Sequence, residues 1–425
     1  MSSLVNLAVT IVAEAKRLAD YIEANELPNP SLAAGGPPTL PIPVGDAELK
    51  ATQLKLYNAA QELSILTLGP VEHLRWQAWS QFNDNISLQA LLRFNILAAI
   101  PENDTTTFDA IAAATSLPVP LATRLVRHAA LSHVLAEPTP GRVAHTAASL
   151  ALRDNTAGVR DWVDMTFEEW GPAAVRTVDA LSQHQGRNPE EPDQSGFALA
   201  FGGKPIFQYL AERPERAGVF GGAMASFSRG VSHRVEDFMG AYDWRALGKG
   251  TVVDVGGSHG HISVAISKEA PDLKFVVEDL PGTAEQGSQL LDPALADRIS
   301  FVGYDMNDVQ PVRDADLYLY RSVLLNWPTK YCVKFLKNLV PALKPGAKVL
   351  VNEGCLAEPH TLSAWDNKIL RGLDTCMLGV FNSNQRTEQE WQDIFAMADK
   401  RFKFLGVRRP TQFALLWIIE AIWEP

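Results

Sequence analysis

The sequence predicts an α/β fold: a mostly parallel seven-stranded sheet covered by helices on both faces, preceded by a smaller helical region shaped like a winged helix. Three observations carry this expectation. From about residue 249, apolar β-branched runs at 251–255, 275–277, 299–302, 317–320 and 348–352 alternate with helical periodicity. That alternation is what crossover helices between parallel strands require. A last pair of runs, 402–407 and 413–419, joined by a short loop containing RRPTQ, reads as an antiparallel edge hairpin. Upstream, TTTFDAIAAATSLPVPLATRLVRHAALSHVLAE reads as two short helices about a proline turn, with GRVAHTAASLAL as a β-wing.

The chain has 425 residues, too many for one simple core, and divides into an N-terminal helix and Pro/Gly-rich arm (1–46), a winged-helix-like region (47–155) and the α/β region (156–425). Residues 1–26 carry a helical apolar pattern through Leu4, Leu7, Val12 and Leu18. Such a helix beyond a linker packs either on a partner subunit or on its own core. The arm, NPSLAAGGPPTLPIPVGD, reads as irregular. Residues 47–100 are again helical, with 94–100 a buried helix ended by Pro101. His128 and His133 read as packed or surface residues, not ligands. A net charge of −11 argues against a nucleic-acid partner and turns the winged helix toward dimerisation. No apolar run reaches membrane-spanning length, and the N-terminus lacks a signal-peptide pattern. Three cysteines, Cys332, Cys355 and Cys376, fit neither a disulfide framework nor a metal site, which points to a cytoplasmic protein without a metal.

The stretch 251–281, TVVDVGGSHGHISVAISKEAPDLKFVVEDLP, runs strand, glycine turn, helix, strand, acid. Gly256, Gly257 and Gly260 let a ligand approach the backbone, and the acid closing the second strand accepts both hydroxyls of a ribose. This is the layout that holds an adenosine-bearing cofactor. Between the two regions, residues 156–248 are helical and rich in aromatics, with an exposed polar loop, QHQGRNPEEPDQSG. Aromatics at helical spacing usually form core. Part of this set, Phe227 with Met224 and His233, also suits the wall of an apolar pocket over the cofactor.

Taken together, DVGGSHG (254–260), EDLP (278–281), YDMND (304–308), LYLYRSVLLNW (317–327), LKPGAKVLVNE (343–353) and NQRTEQEW (384–391) make the chain resemble the class I S-adenosylmethionine-dependent O-methyltransferases of plants and fungi, from about residue 50 to the end. The resemblance implies a Rossmann-like methyltransferase domain and a homodimer in which the N-terminal segment helps close the partner's pocket. It implies S-adenosylmethionine as cofactor. Asp279 then stands for the acid on the ribose, Asp305 and Met306 for the pair flanking the adenine, Arg321 for the basic residue on the methionine carboxylate, and Gly256 for the close approach.

At the reacting end the sequence departs from the family. The family's His-Asp-Trp run, whose histidine is the general base, reads Leu325-Asn326-Trp327. Leucine has no lone pair to accept a proton. Of the two glutamates that orient the histidine, Glu353 is present and the other position reads Gln385. Lys330, just beyond, suits a charge-assisted hydrogen bond to a substrate carbonyl, worth about 2 to 4 kcal/mol from a preorganised donor; alone it reads equally as a solvated lysine. This combination resembles the fungal O-methyltransferase-like pericyclases. The resemblance implies dehydration of a polyketide-derived pyridone-type intermediate to a quinone methide, then Alder-ene or hetero-Diels–Alder cyclisation, with the cofactor bound and not consumed. Lys330 and His233 are the candidate catalytic groups, and Met224, Phe227, Leu325 and Trp327 the candidate substrate contacts. A methyltransferase using another base, or an already ionised substrate, and a non-catalytic homologue remain the alternatives.

Overall fold

The structure, a computed structural model, describes residues 3–228, 233–358 and 361–425. The chain forms two compact units, one of residues 1–168 with 215–227, the other of 169–214 with 228–425.

The first unit begins with α1 (Ser3–Ala24), α2 (Ala47–Leu68) and α3 (Pro70–Arg93). Leu18 and Ile22 of α1 are buried, while Leu4, Val5, Val9 and Val12 are exposed. Asp46 starts α2 by accepting the Glu48 and Leu49 N–H groups, the usual answer to unpaired donors at a helix start. The expected helix over 94–100 is only a 3₁₀ turn, Ile96–Ala99. Asn95 takes φ +51°, which ends α3 and leaves Phe94 exposed, while Ile96 and Leu97 are buried. The winged helix follows: β1 (Thr106–Thr107), α4 (Phe108–Thr115), α5 (Val119–Leu131), β2 (Leu135–Thr139) and β3 (Arg142–His145), in the strand order β1-β3-β2. The wing is shorter than the sequence suggests. Thr146 and Ser149 form a reciprocal capping box that turns the chain from β3 into α6 (Ala147–Arg153). His128 Nδ1 lies 3.1 Å from Ser87 Oγ, and His133 is exposed at φ +57°. Then come α7 (Val159–Met165) and, after the excursion of the chain into the second unit, α11 (Pro214–Ser228), which this unit holds through Phe227.

The second unit contains α8 (Gly171–Gln183), α9 (Gly196–Ala200), α10 (Ile206–Ala211) and α12 (Val235–Gly240) ahead of the sheet. The strands are β4 (Thr251–Val255), β5 (Lys274–Asp279), β6 (Ile299–Gly303), β7 (Leu317–Arg321), β8 (Lys348–Gly354), β9 (Phe402–Arg408) and β10 (Leu416–Trp423). They lie in the order β6-β5-β4-β7-β8-β10-β9. β4 to β8 are parallel, and β10 is antiparallel to both β8 and β9. The hairpin is thus as expected, with β9 at the edge and β10 inside. β10 starts three residues later than the apolar run suggests and continues to Trp423, whose N–H donates to Ala347 O. Helices α13 (His261–Glu269), α14 (Pro281–Leu290), α15 (Thr329–Leu339), α16 (Ala364–Phe381) and α17 (Glu388–Ala398) complete the unit.

Alternation along each strand divides the core between the two faces of the sheet. Val253, Val255, Tyr318, Tyr320, Val349 and Val351 pack with Phe335 and Leu336 of α15 and Trp391 and Phe395 of α17. Val252, Leu317, Leu319 and Leu350 pack with Phe238 of α12 and Ile262 and Ile266 of α13. The carboxyl ends of β4, β5, β7 and β8 therefore stand side by side, each followed by a loop with a polar side chain.

Candidate active site

The turn after β4 is fixed by its glycines. The N–H groups of Gly256 and Gly257 donate to Glu278 O at 2.7 and 3.0 Å, tying the turn to the end of β5. Gly256 takes φ +71°, and a Cβ there would lie 2.7 Å from Val323 Cγ2, so only glycine fits. Asp279 closes β5, its Oδ2 accepting the Ser258 N–H at 2.9 Å and its Oδ1 the Leu280 N–H at 2.8 Å. Burial raises its pKa, against the pull of these two backbone donors. Two lone pairs remain for vicinal hydroxyls.

Arg321 ends β7. Its guanidinium donates to Asn352 Oδ1 and, at 3.0 Å, to His233 O, and lies 5.2 Å from the centre of the Phe238 ring. Burial lowers its pKa to about 10, so it stays charged at neutral pH. Met306 is partly buried against the core, and its carbonyl accepts from Asn338 Nδ2 at 2.9 Å. Asp305, exposed, orders the same loop through Asn307 N–H at 2.8 Å. These residues fit S-adenosylmethionine by chemistry: a carboxylate for the ribose, a partly buried cation for the carboxylate, an apolar face for the adenine and a glycine turn admitting close approach.

Sequence reading missed Asn352, which holds the guanidinium. Its only signal is the parallel register that pairs Arg321 with Asn352. Two further buried acids support the turn from behind. Asp254 accepts from Ser263 Oγ at 2.7 Å, and burial pushes its pKa up to about 6. Glu278 accepts from Gln310 Nε2 at 2.9 Å and is likewise pushed up to about 7 by burial.

Beyond β7, Ser322 at φ +56° leads into a 3₁₀ turn, Leu324–Asn326. Leu325 is buried, and its carbonyl accepts from Ser383 Oγ at 2.6 Å. Glu353 and Gln385 are both buried behind this turn. Glu353 Oε1 accepts the N–H groups of Val323 at 2.8 Å and Leu324 at 2.5 Å. Arg386, unread by sequence reasoning although it lies inside a quoted motif, donates to Leu324 O at 3.3 Å and Trp327 O at 2.6 Å. The polar shell of a proton-handling site is present around a side chain that handles none.

The other predicted residues fall as follows. Trp327 lies 5.2 Å edge-on from Phe335 and 6.5 Å from Phe207. With Phe207, Tyr331, Phe381 and Glu191 it lines a cleft of about 430 Å³. Lys330, read as a free donor to substrate, is instead half-exposed at the start of α15 and ion-paired with Glu191, which also accepts from Tyr331 Oη at 2.8 Å. The loop carrying Glu191 is not simply exposed: Asn188 and Asn382 cross-link it, through Asn188 Nδ2 to Asn382 O at 3.0 Å and Asn382 Nδ2 to Glu191 O at 2.7 Å. His233 is buried, which with the nearby Arg321 charge lowers its pKa to about 3. A neutral imidazole of that kind is a weak base near neutral pH, which disfavours the acid-or-base role expected of it. Met224 and Phe227 belong to the first unit, where Phe227 stacks on Trp162 at 5.1 Å. A cavity of about 750 Å³ in the first unit, between arm residues 32–35 and the wing, holds none of the cofactor residues.

A parallel sheet with a glycine turn, an acid closing the second strand and a partly buried arginine at its carboxyl edge defines an S-adenosylmethionine-binding Rossmann-like protein. Comparison with known proteins makes this particular. Residues 184–400, just over half the chain, match the O-methyltransferase domain family. The chain is 39% identical to a chlorophenol O-methyltransferase of Trichoderma longibrachiatum, covering 100% of this chain and 91% of the relative. The chain belongs to the O-methyltransferase family, and S-adenosylmethionine is its cofactor. Among solved structures, OxaC bound to SAH and oxaline superposes with a TM-score of 0.79 at 22% identity, covering 99% of each chain. LepI bound to SAM superposes with a TM-score of 0.71 at 17% identity, covering 98% of this chain and all of that one. At these identities the structural matches bear on the fold alone. No described helix is long and apolar enough to cross a membrane.

Proposed function

We propose that this chain is a pericyclase of fungal secondary metabolism built on the O-methyltransferase fold. It dehydrates a polyketide-derived pyridone carbinol to a quinone methide and directs its Alder-ene or hetero-Diels–Alder closure. One observation carries this reading. Leu325 fills the base position as a buried aliphatic side chain, and the second orienting glutamate is Gln385, while the cofactor residues are intact. S-adenosylmethionine, when bound, would supply a sulfonium positive charge to the site. Arg321, Asp279 and Met306 hold it, and aromatic walls such as Phe207 and Trp327 exclude water and hold the flexible alkyl chain folded.

The chain is proposed to work as a homodimer. Helix α3 exposes Trp76, Trp79, Phe82 and Ile86, each more than half accessible. Adjoining apolar side chains of this size on one helix suit a second copy of the same surface. Light scattering of Trp79→Asp against wild type tests this, with a monomer expected from the variant.

A second reading has one observation behind it. The relative named for chlorophenol at 39% identity suggests a phenol acidic enough to arrive ionised, needing no base. The deciding experiment incubates the purified protein with pyridone carbinols and with acidic phenols, with and without S-adenosylmethionine, and resolves products by mass. A cyclised product that has lost only water, in one stereochemical series, supports the pericyclase. A product heavier by one methyl group that requires the cofactor replaces it with the second reading.

A further inference from the structure

The walls of the aromatic cleft are tied together by one short segment, 381–386, which runs on from the end of α16. Phe381 is itself part of the wall, its ring centre 5.6 Å from that of Phe207. Asn382, at φ +53°, ends α16 and bonds the Glu191 loop both as donor and as acceptor. Ser383 has no accessible surface and donates to Leu325 O at 2.6 Å. The Gln385 N–H returns to α16 through Asp374 Oδ1 at 2.8 Å. Arg386, also buried, donates to Leu324 O at 3.3 Å and to Trp327 O at 2.6 Å. Its guanidinium is backed by the Trp391 ring, centred 5.2 Å away.

The turn that carries Leu325 and Trp327 is therefore gripped on both its donors and its acceptors. Glu353 Oε1 takes the N–H groups of Val323 and Leu324, while Arg386 takes the carbonyls at the two ends of the 3₁₀ turn. The Cys332 thiol lies 3.4 Å from each of the same two carbonyl oxygens. Satisfying those carbonyls needs no more than one donor each. A planar guanidinium does more, because its N–H groups have a fixed spacing that a lysine's point charge lacks. It sets where Trp327 stands relative to Phe207 and Phe381, which come from other elements.

We propose that Arg386, assisted by Ser383, is the positioning residue of this cleft. It fixes the turn of Leu325 and Trp327 against the aromatic wall and so selects the fold in which the substrate chain closes. The inference deepens the pericyclase reading above and rests on it. Neither Leu325 nor Trp327 can remove a proton, so what this turn contributes is shape. For a flexible chain held in one reactive fold, a misplacement of about 1 Å costs roughly 100-fold in rate.

The test compares Arg386→Met, Arg386→Lys and Ser383→Ala with wild type on pyridone carbinols. Cyclised stereoisomers are resolved by chromatography, and S-adenosylmethionine binding by calorimetry counts the folded protein. Arg386→Met should slow turnover about 100-fold and turn one stereochemical series into a mixture, with cofactor affinity unchanged. Arg386→Lys keeps a donor to one carbonyl, so it should recover part of the turnover but not the single series. Ser383→Ala loses one neutral hydrogen bond and should shift the isomer ratio the same way by about fivefold. An arginine that serves only stability lowers the melting temperature and leaves the surviving protein with the wild-type rate and isomer ratio. That result for Arg386→Met overturns the proposal and leaves the pericyclase reading standing. Should Arg386→Met not fold, Ser383→Ala decides, a wild-type ratio overturning the proposal and a shifted one sustaining it. If wild type itself yields only methylated product, the underlying reading has failed instead.

Discussion

Two ends of one sheet edge have had different histories. At the ends of β4, β5 and β7, every group that a cofactor needs is present and braced: Asp279 by two backbone donors, Arg321 by Asn352, Gly256 against Val323. At the end of β8, the supports of a base remain, but the base position holds Leu325. A protein shedding all activity has no reason to keep the first set unbroken. One performing the family reaction by the usual route has no use for leucine in the second. The contrast is between an intact cofactor end and a base position without a base.

The sharpest way to break that contrast is to restore the second region. Leu325→His with Gln385→Glu should confer cofactor-dependent methyl transfer on a phenol panel that wild type leaves untouched, since a positioned base contributes about 10²- to 10⁴-fold. Methylation at equal rates by wild type and variant would mean that the two regions never diverged. Breaking the first region should come next in size. Arg321→Met removes one partner of a buried charged contact, a change of about 2 to 5 kcal/mol, and calorimetry should find S-adenosylmethionine binding weakened by roughly 100-fold. Unaltered affinity would detach Arg321 from the cofactor. Gly256→Ala forces a Cβ against Val323 at positive φ, and urea titration should register about 1 to 3 kcal/mol of lost stability. The smallest effect is expected from Lys330→Ala. A half-exposed ion pair contributes at most about 1 kcal/mol, and product formation should stay within about threefold of wild type. A hundredfold loss would instead return the ammonium to the substrate carbonyl.

The sequence made the first region legible and the second only partly so. Strand, glycine turn and acid are local features, and β-branched runs bounded by glycine and proline locate β4 to β8 almost to the residue. Spacing marks the acidic pair Glu278 and Asp279 at the end of β5, and the family resemblance singles out Asp279. The ion pair of Lys330 was not legible because its partner, Glu191, is distant in sequence and lies in a loop that composition marks as merely exposed. His233 looked titratable because a sequence cannot register the burial that keeps it neutral. The break at Asn95 was missed because an apolar run suits a 3₁₀ turn as well as a helix. The loss of the base was visible as letters. That it leaves Glu353 and Gln385 with unmatched polar atoms became visible only in three dimensions.

The position of β10 has a consequence for how the second unit is made. It lies inside the sheet, bonded to β8 on one side and β9 on the other, although it follows both in the chain. During synthesis β8 must therefore wait with an unsatisfied edge while about sixty further residues leave the ribosome. An apolar strand kept waiting in that way invites pairing with a neighbouring chain. Yields in a foreign host should accordingly respond more to chaperone supply and growth temperature than to surface substitutions.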